Sequence, residues 1–195
     1  MNNKQGSCVE IRETNEPMKK YCRFIYAFPI IAALMAHSSC QSNDSIMIDT
    51  TTVKHLDISR FMGKWYEIAR FNHFFEKGMT HVTAEYSLEE NGKIRVVNRG
   101  IKDGKPKEIT GKAKQPDPKE YPGRLKVSFF LWFYSDYYIF ELDDNYQYAL
   151  IGSSSDKYLW ILSRTPEMPQ EQLDKFLENI RRRGYDLSKL IFVEQ

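Results

Sequence analysis

Gly63-Lys64-Trp65-Tyr66-Glu67-Ile68-Ala69-Arg70 opens the part of the chain that decides the fold, and its counterpart, Leu162-Ser163-Arg164-Thr165-Pro166, comes nearly a hundred residues later. A glycine two places before a tryptophan suits a chain that bends tightly and then enters a strand, whose first large side chain fills one end of a core. A distant arginine can close that end. Its planar guanidinium lies on an indole face while its donors take backbone carbonyls, a task lysine performs poorly.

Between these segments the chain reads as short strands at about 64 to 71, 80 to 88, 93 to 100, 108 to 115, 124 to 130, 137 to 143, 146 to 152 and 157 to 164. The breaks carry turn chemistry: Glu90-Asn91-Gly92, Lys102-Asp103-Gly104, Pro116-Asp117-Pro118, Asp143-Asp144-Asn145 and Ser153-Ser154-Ser155-Asp156. Short, regular spacing means hairpins. Eight antiparallel strands joined next to next can close into an up-and-down barrel, which removes exposed edges and leaves room for one small ligand. The fold expected is therefore all-β. One amphipathic helix comes after the strands, with Leu173, Phe176, Leu177 and Ile180 on one face between Pro169 and Gly184. Arg181, Arg182 and Arg183 close it as solvated complements to the macrodipole. Leu190-Ile191-Phe192-Val193 reads as a short final strand against the barrel.

Three blocks in order, Trp65 to Phe71, Leu125-Lys126-Val127-Ser128-Phe129-Phe130 and Tyr158 to Pro166, resemble the lipocalin family and its bacterial outer-membrane branch. The resemblance runs from about residue 53 to the end of the chain. It implies that Gly63, Trp65 and Arg164 meet at the closed base of the barrel, and that a flexible loop stands before the second strand. Ser135-Asp136-Tyr137 only approximates a Thr-Asp-Tyr-like block that many lipocalins carry on a middle strand.

The N-terminal region is read separately. Lys19, Lys20 and Arg23 precede thirteen uncharged residues, 24–36. A bilayer core wants about 20 apolar helical residues, and Pro29 interrupts this stretch, so an export signal is the better reading than a membrane span. Ala36-His37-Ser38-Ser39-Cys40 resembles a bacterial lipoprotein cleavage site. That resemblance implies residues 1–39 as leader, Cys40 as the acylated N-terminus and lipid anchor, and 40–52 as a polar linker before a single domain, 53–195. His37 departs from the usual aliphatic residue, and Glu10, Glu13 and Glu16 sit where an export signal wants positive charge, so Met18 is read as the start. Cys8, Cys22 and Cys40 are the chain's only cysteines, which leaves the domain without a disulfide and dependent on its core. Removing the leader takes five of 28 Lys/Arg and three of 26 Asp/Glu, leaving 23 of each. A neutral domain has no electrostatic reason to seek nucleic acid.

Strand alternation assigns the lumen. Val82, Ala84, Tyr86 and Leu88 share one face of the second strand and are placed inward, and the same argument turns Ile94, Val96, Leu125, Val127 and Phe129 inward. Tyr138, Phe140 and Leu142 are placed inward because that puts Glu141 outside. Such a lumen, with few ionisable groups, suits an acyl chain. Phe71, Phe74 and Phe75 would cap its mouth. Phe129-Phe130-Leu131-Trp132-Phe133-Tyr134 is too apolar for one strand with a wet face, so part of it belongs to a loop that could enter a membrane interface, gate the mouth or pair two copies.

No Gly-x-Ser-x-Gly elbow, Gly-rich phosphate loop or nucleophilic cysteine supports an enzyme, and no metal or cofactor is expected. His55, His73 and His81 read as surface or loop residues. The resemblance implies a binding protein for fatty acids or lysophospholipids, lipid-anchored at the outer membrane and facing the periplasm. Carriage of a pigment, sterol or haem-like ring, or an assembly role with a collapsed barrel, are the alternatives.

Overall fold

The computed structural model describes residues 47–195. Cys40, the leader and most of the linker lie outside them.

Eight antiparallel strands run next to next: β1 Gly63–Phe71, β2 Met79–Leu88, β3 Ile94–Lys102, β4 Lys105–Lys114, β5 Arg124–Phe130, β6 Phe133–Leu142, β7 Tyr148–Gly152 and β8 Leu159–Ser163. β1 pairs with both β2 and β8, which closes the barrel. A short helix α1, Ile58–Phe61, precedes β1, and α2, Gln170–Arg182, comes after β8. The chain ends in β9, Leu190–Phe192, which pairs with the outer part of β1, Ala69–Phe71.

Local chemistry explains the joints. Asp57 caps α1 by accepting from the backbone N–H of Ser59 and Arg60. Gly63 then starts β1 at φ +93°, a conformation that suits glycine, and a Cβ there would stand 3.3 Å from Arg164 Nη1. On α2, Glu171 sits in the first turn and Arg181 and Arg182 in the last, each complementing the macrodipole.

Two apolar clusters divide the interior. Inside the barrel base, Phe61, Trp65, Tyr86, Ile94, Val96, Leu125, Ile139 and Ile151 pack together. Outside the barrel wall, Ile68, Phe71, Phe140, Leu150 and Leu159 bury the face of α2 that carries Phe176 and Ile180.

β6 corrects the expected parity. Tyr137 and Ile139 face inward, whereas Phe140, with Tyr138 beside it, packs on the outer cluster under α2. A register shift between Ile139 and Glu141 then returns Leu142 to the inner cluster. Phe140 lies so close to Gly152 on β7 that a Cβ there would meet its ring. The assumption of unbroken alternation failed because a β-bulge inserts one extra residue and flips the facing of the residues beyond it. β6 also begins at Phe133, four residues earlier than expected, so the hairpin tip is only Leu131-Trp132.

Arg183 is a second correction. It is buried rather than solvated: its Nη1 donates to the carbonyls of Asp49 at 3.0 Å and Thr51 at 2.9 Å, and its Nε to Asn179 Oδ1 at 2.7 Å. It ties the segment before the barrel to the end of α2.

Candidate functional site: a lumen closed at one end

The base is shut by a stack. The Arg164 guanidinium carbon lies 3.8 Å from the centroid of the Trp65 ring, and Trp65 is fully buried. Arg164 Nη1 donates to the carbonyl of Lys64 at 2.9 Å, Nη2 to those of Arg60 at 2.8 Å and Phe61 at 3.2 Å, and Nε to that of Tyr146 at 3.1 Å. Trp65 Nε1 donates to the Phe61 carbonyl at 2.9 Å. A planar fork placed over an indole can reach several carbonyls at once, which is why this position calls for arginine.

Above that base lies a cavity of about 900 Å³. Val82, Ala84, Val96, Val127, Phe129 and Leu162 form its apolar wall. Tyr86 and Tyr137 share a hydroxyl–hydroxyl hydrogen bond of 2.9 Å within it. Ile94 and Leu125 are buried deeper, in the base cluster, and do not reach the open volume. Tyr138 and Phe140 are outside the lumen altogether.

The mouth carries the aromatic groups. Phe74 and Phe75 line its edge, with Phe74 89 % exposed, and residues 72–78 form the loop that bears them, whereas Phe71, expected beside them, is buried in the outer cluster. Across the opening the β5–β6 tip exposes Phe130, Leu131, Trp132 and Phe133 to water. Leu131 sits at φ +50°, the left-handed turn that ends β5.

One polar corner departs from the expected wall. Glu67 and Glu76 both line the cavity, and Arg70 lies between them at 1 % exposure. A bulge in β1 between Glu67 and Ala69 brings Glu67 and Arg70, three residues apart, to the same inner side. Arg70 Nη1 donates to Glu67 Oε1 at 2.5 Å, and Nη2 to the Glu76 carbonyl at 2.6 Å. Burial first, and the neighbouring Glu76 second, push the Glu67 carboxyl up to about 8 against the pull of Arg70. Burial also raises Glu76, while its hydrogen bond from Trp160 Nε1 and the charge of Arg70 pull it down. His73 is buried, not a surface residue. It packs against Tyr158 and Trp160, and burial followed by the Arg70 charge lowers it to about 4, so it is neutral at ordinary pH.

The lumen therefore holds more ionisable groups than the strand pattern suggested. The available signal was the pair Glu67 and Arg70 within an otherwise apolar strand, but its inward facing depends on the bulge. Among the described residues no group of three His, Cys, Asp or Glu is arranged to hold a metal, and no helix is long and apolar enough to cross a membrane.

Residues 56–195 match the family model described as a lipocalin-like domain. The chain belongs to the lipocalin family. Outer membrane lipoprotein Blc of Vibrio cholerae is 46% identical over 150 residues, covering 73% of this chain and 85% of that protein. Temperature-induced lipocalin-1 of Arabidopsis thaliana is 41% identical over 146 residues, covering 71% and 78%. Among solved structures, insecticyanin of the tobacco hornworm Manduca sexta aligns with a TM-score of 0.63 at 25% identity, over 75% of this chain and 85% of that one. Among the described residues this lipocalin thus has the eight-stranded barrel, the helix after it and the added strand that its sequence implies, together with the short α1 before β1, and a lumen open at one end.

Proposed function

We propose that this lipocalin binds single-chain lipids, fatty acids or lysophospholipids, for storage or transport at the bacterial outer membrane. The observation that carries the reading is the cavity of about 900 Å³, walled by aliphatic and aromatic side chains and stopped at one end by Trp65 and Arg164. Pockets of about 300–1,000 Å³ take ligands of this size, and each methylene moved from water to an apolar wall contributes about 0.8 kcal/mol. An extended chain can enter at Phe74 and Phe75 and run toward the base, and binding needs no catalytic residue.

The relatives named outer membrane lipoproteins in Vibrio cholerae and Escherichia coli support the compartment. In this reading Cys40 carries the acyl groups, since two or more chains hold a protein stably to a bilayer, and the barrel faces the periplasm. Wild-type protein should sediment with membranes and take up labelled palmitate, and Cys40→Ser should not; unlabelled wild-type protein free in the periplasm would contradict the anchor. The aromatic tip at residues 129–134 is the surface through which two copies would pair, and a monomer at all concentrations in sedimentation would remove that part.

Mass spectrometry of ligands that co-purify with the barrel tests the ligand class. Single-chain lipids are expected. A planar ring compound, or an empty lumen that no acyl chain enters, would contradict the reading.

A further inference from the structure

The polar groups along the lumen have donors to spare and nothing to receive them. Glu67 and Glu76 share a single guanidinium, that of Arg70, and two buried carboxyls beside one cation do not both stay charged, so one keeps its proton. Glu67 is that one. It is 4 % exposed, and burial pushes it up to about 8; burial raises Glu76 as well, but the Trp160 N–H and the Arg70 charge pull it back. Glu67 Oε1 accepts from Arg70 Nη1, which leaves the proton to the other oxygen, and that O–H has no acceptor among the described residues. Tyr86 and Tyr137 hold two hydroxyl protons, and their mutual bond of 2.9 Å spends one; neither has another partner among the described residues. Arg70 Nε, buried in the same corner, is a third unmatched donor. A buried donor without an acceptor costs free energy, so an acceptor inside the cavity would complete it.

We propose that Glu67 and the Tyr86–Tyr137 pair form a subsite for the acyl carbonyl oxygen of a single-chain lipid, whose chain lies along Val82, Val96, Val127 and Phe129. This rests on the reading that the lumen takes an acyl chain, and names the group by which the chain is held. A carbonyl oxygen has two lone pairs and no proton, so it accepts from a carboxyl and a phenol together. Arg70 and Glu76 already neutralise each other, so a neutral acceptor enters the corner without adding charge. Fatty acids and lysophospholipids both carry an acyl carbonyl. An ether-linked chain lacks it.

The groups facing Glu67 are Arg70 from β1, His73 and Glu76 from residues 72–78, Tyr86 from β2, Tyr137 from β6 and the Trp160 N–H from β8. His73 is lowered to about 4 and both phenols are raised above their ordinary range, so none of these three titrates as Glu67 does. Once Glu67 ionises it has no proton to donate, and its charge repels the carbonyl oxygen. The carbonyl's contribution to binding therefore weakens as pH rises through about 8.

Calorimetric titration of the purified protein with the dodecanoyl ester of glycerol and with dodecyl glycerol ether, which differ by one carbonyl oxygen, tests this. Near neutral pH the wild type should bind the ester at least about fivefold more tightly. The infrared band of an isotope-labelled ester carbonyl should stay at the low frequency of a hydrogen-bonded group instead of rising to its value in hydrocarbon. Glu67→Leu should lower the ester-to-ether ratio, and Glu67→Leu with Tyr137→Phe should bring it to about one. Glu67→Gln, whose amide N–H donates without titrating, should keep the ratio and hold it past pH about 8, where the wild type loses part of its own; Glu76 is common to both proteins. Equal binding of ester and ether by the wild type, a carbonyl band at the hydrocarbon frequency, or a preference that survives the double substitution would overturn the subsite while leaving the lumen reading intact. Failure of both lipids to bind would overturn both.

Discussion

At the base of the barrel Arg164 lies on Trp65 with its Nε and both terminal nitrogens donating to main-chain carbonyls, whereas at the mouth corner Arg70, more deeply buried, faces two carboxylates and leaves its Nε without a partner. The base is a finished structure: its ring is enclosed, its donors are matched, and it has no room for a guest. The mouth exposes Phe74 and Trp132 to water and keeps ionisable groups under strain of burial. In one barrel, then, an arginine completes a fold at one end and at the other sits between two carboxyl groups with one of its donors unmatched. Local satisfaction distinguishes the part that holds the protein together from the part available to a ligand.

If that contrast is right, damage at the base should cost stability and damage at the mouth should cost little. Trp65→Ala should destabilise by about 3–5 kcal/mol in urea unfolding, as a large enclosed ring lost to a cavity. Arg164→Ala should cost about 1–3 kcal/mol, because the carbonyls it serves lose their donor. A double-mutant cycle should show coupling of at least about 0.5 kcal/mol between the two. Strict additivity would mean that the stack contributes nothing. Trp132→Ser, at a ring 71 % exposed, should shift stability by no more than about 0.5 kcal/mol.

Between these extremes lies the polar corner, whose signature is pH. The folded-state value of Glu67 is raised from 4.5 to about 8, so the folded protein holds a proton that the unfolded chain has released across that interval. Its stabilising contribution is present below about pH 4.5 and is lost as pH rises through about 8. His73 works oppositely: lowered from 6.5 to about 4, it makes the fold less stable as pH falls through that range. Above about pH 6.5 the His73 effect is over, and unfolding measurements should show stability falling toward pH 8. Glu67→Gln should flatten that decline; an unchanged slope in the variant would place the titrating group elsewhere.

The same contrast governs what the sequence could disclose. The Gly-x-Trp segment, the distant arginine, the turn residues between strands and the apolar stripe of α2 are local or additive signals, and each sits where its chemistry indicates. Bulges are different. They depend on how a strand registers against its neighbours, and the two in β1 and β6 decided the facing of Arg70, Tyr138 and Phe140. The sequence reading left Glu67 and Arg70 out of the lumen because their inward facing depends on a bulge, and read Arg183 as a solvated cap because its partners come from residues that only the fold brings near. The expected wall was therefore legible from Val82 to Tyr86 of β2, at the inner end of β3 and along β5, and wrong at Leu88, which is 50 % exposed, and at Tyr138 and Phe140 in β6.

The central claim is that the apolar cavity above Trp65 accepts an acyl chain. It is tested most directly by titrating a fluorescent monoacylglycerol, which carries no headgroup charge, into the wild type and Val127→Asp, with circular dichroism recorded on both. Val127 lines the cavity, and an unpaired carboxylate there should weaken binding by at least about tenfold without altering the fold. Saturable wild-type binding that the substitution nearly abolishes is the result expected. Equal affinity in a folded variant would show that the chain binds elsewhere and that the lumen is not the site.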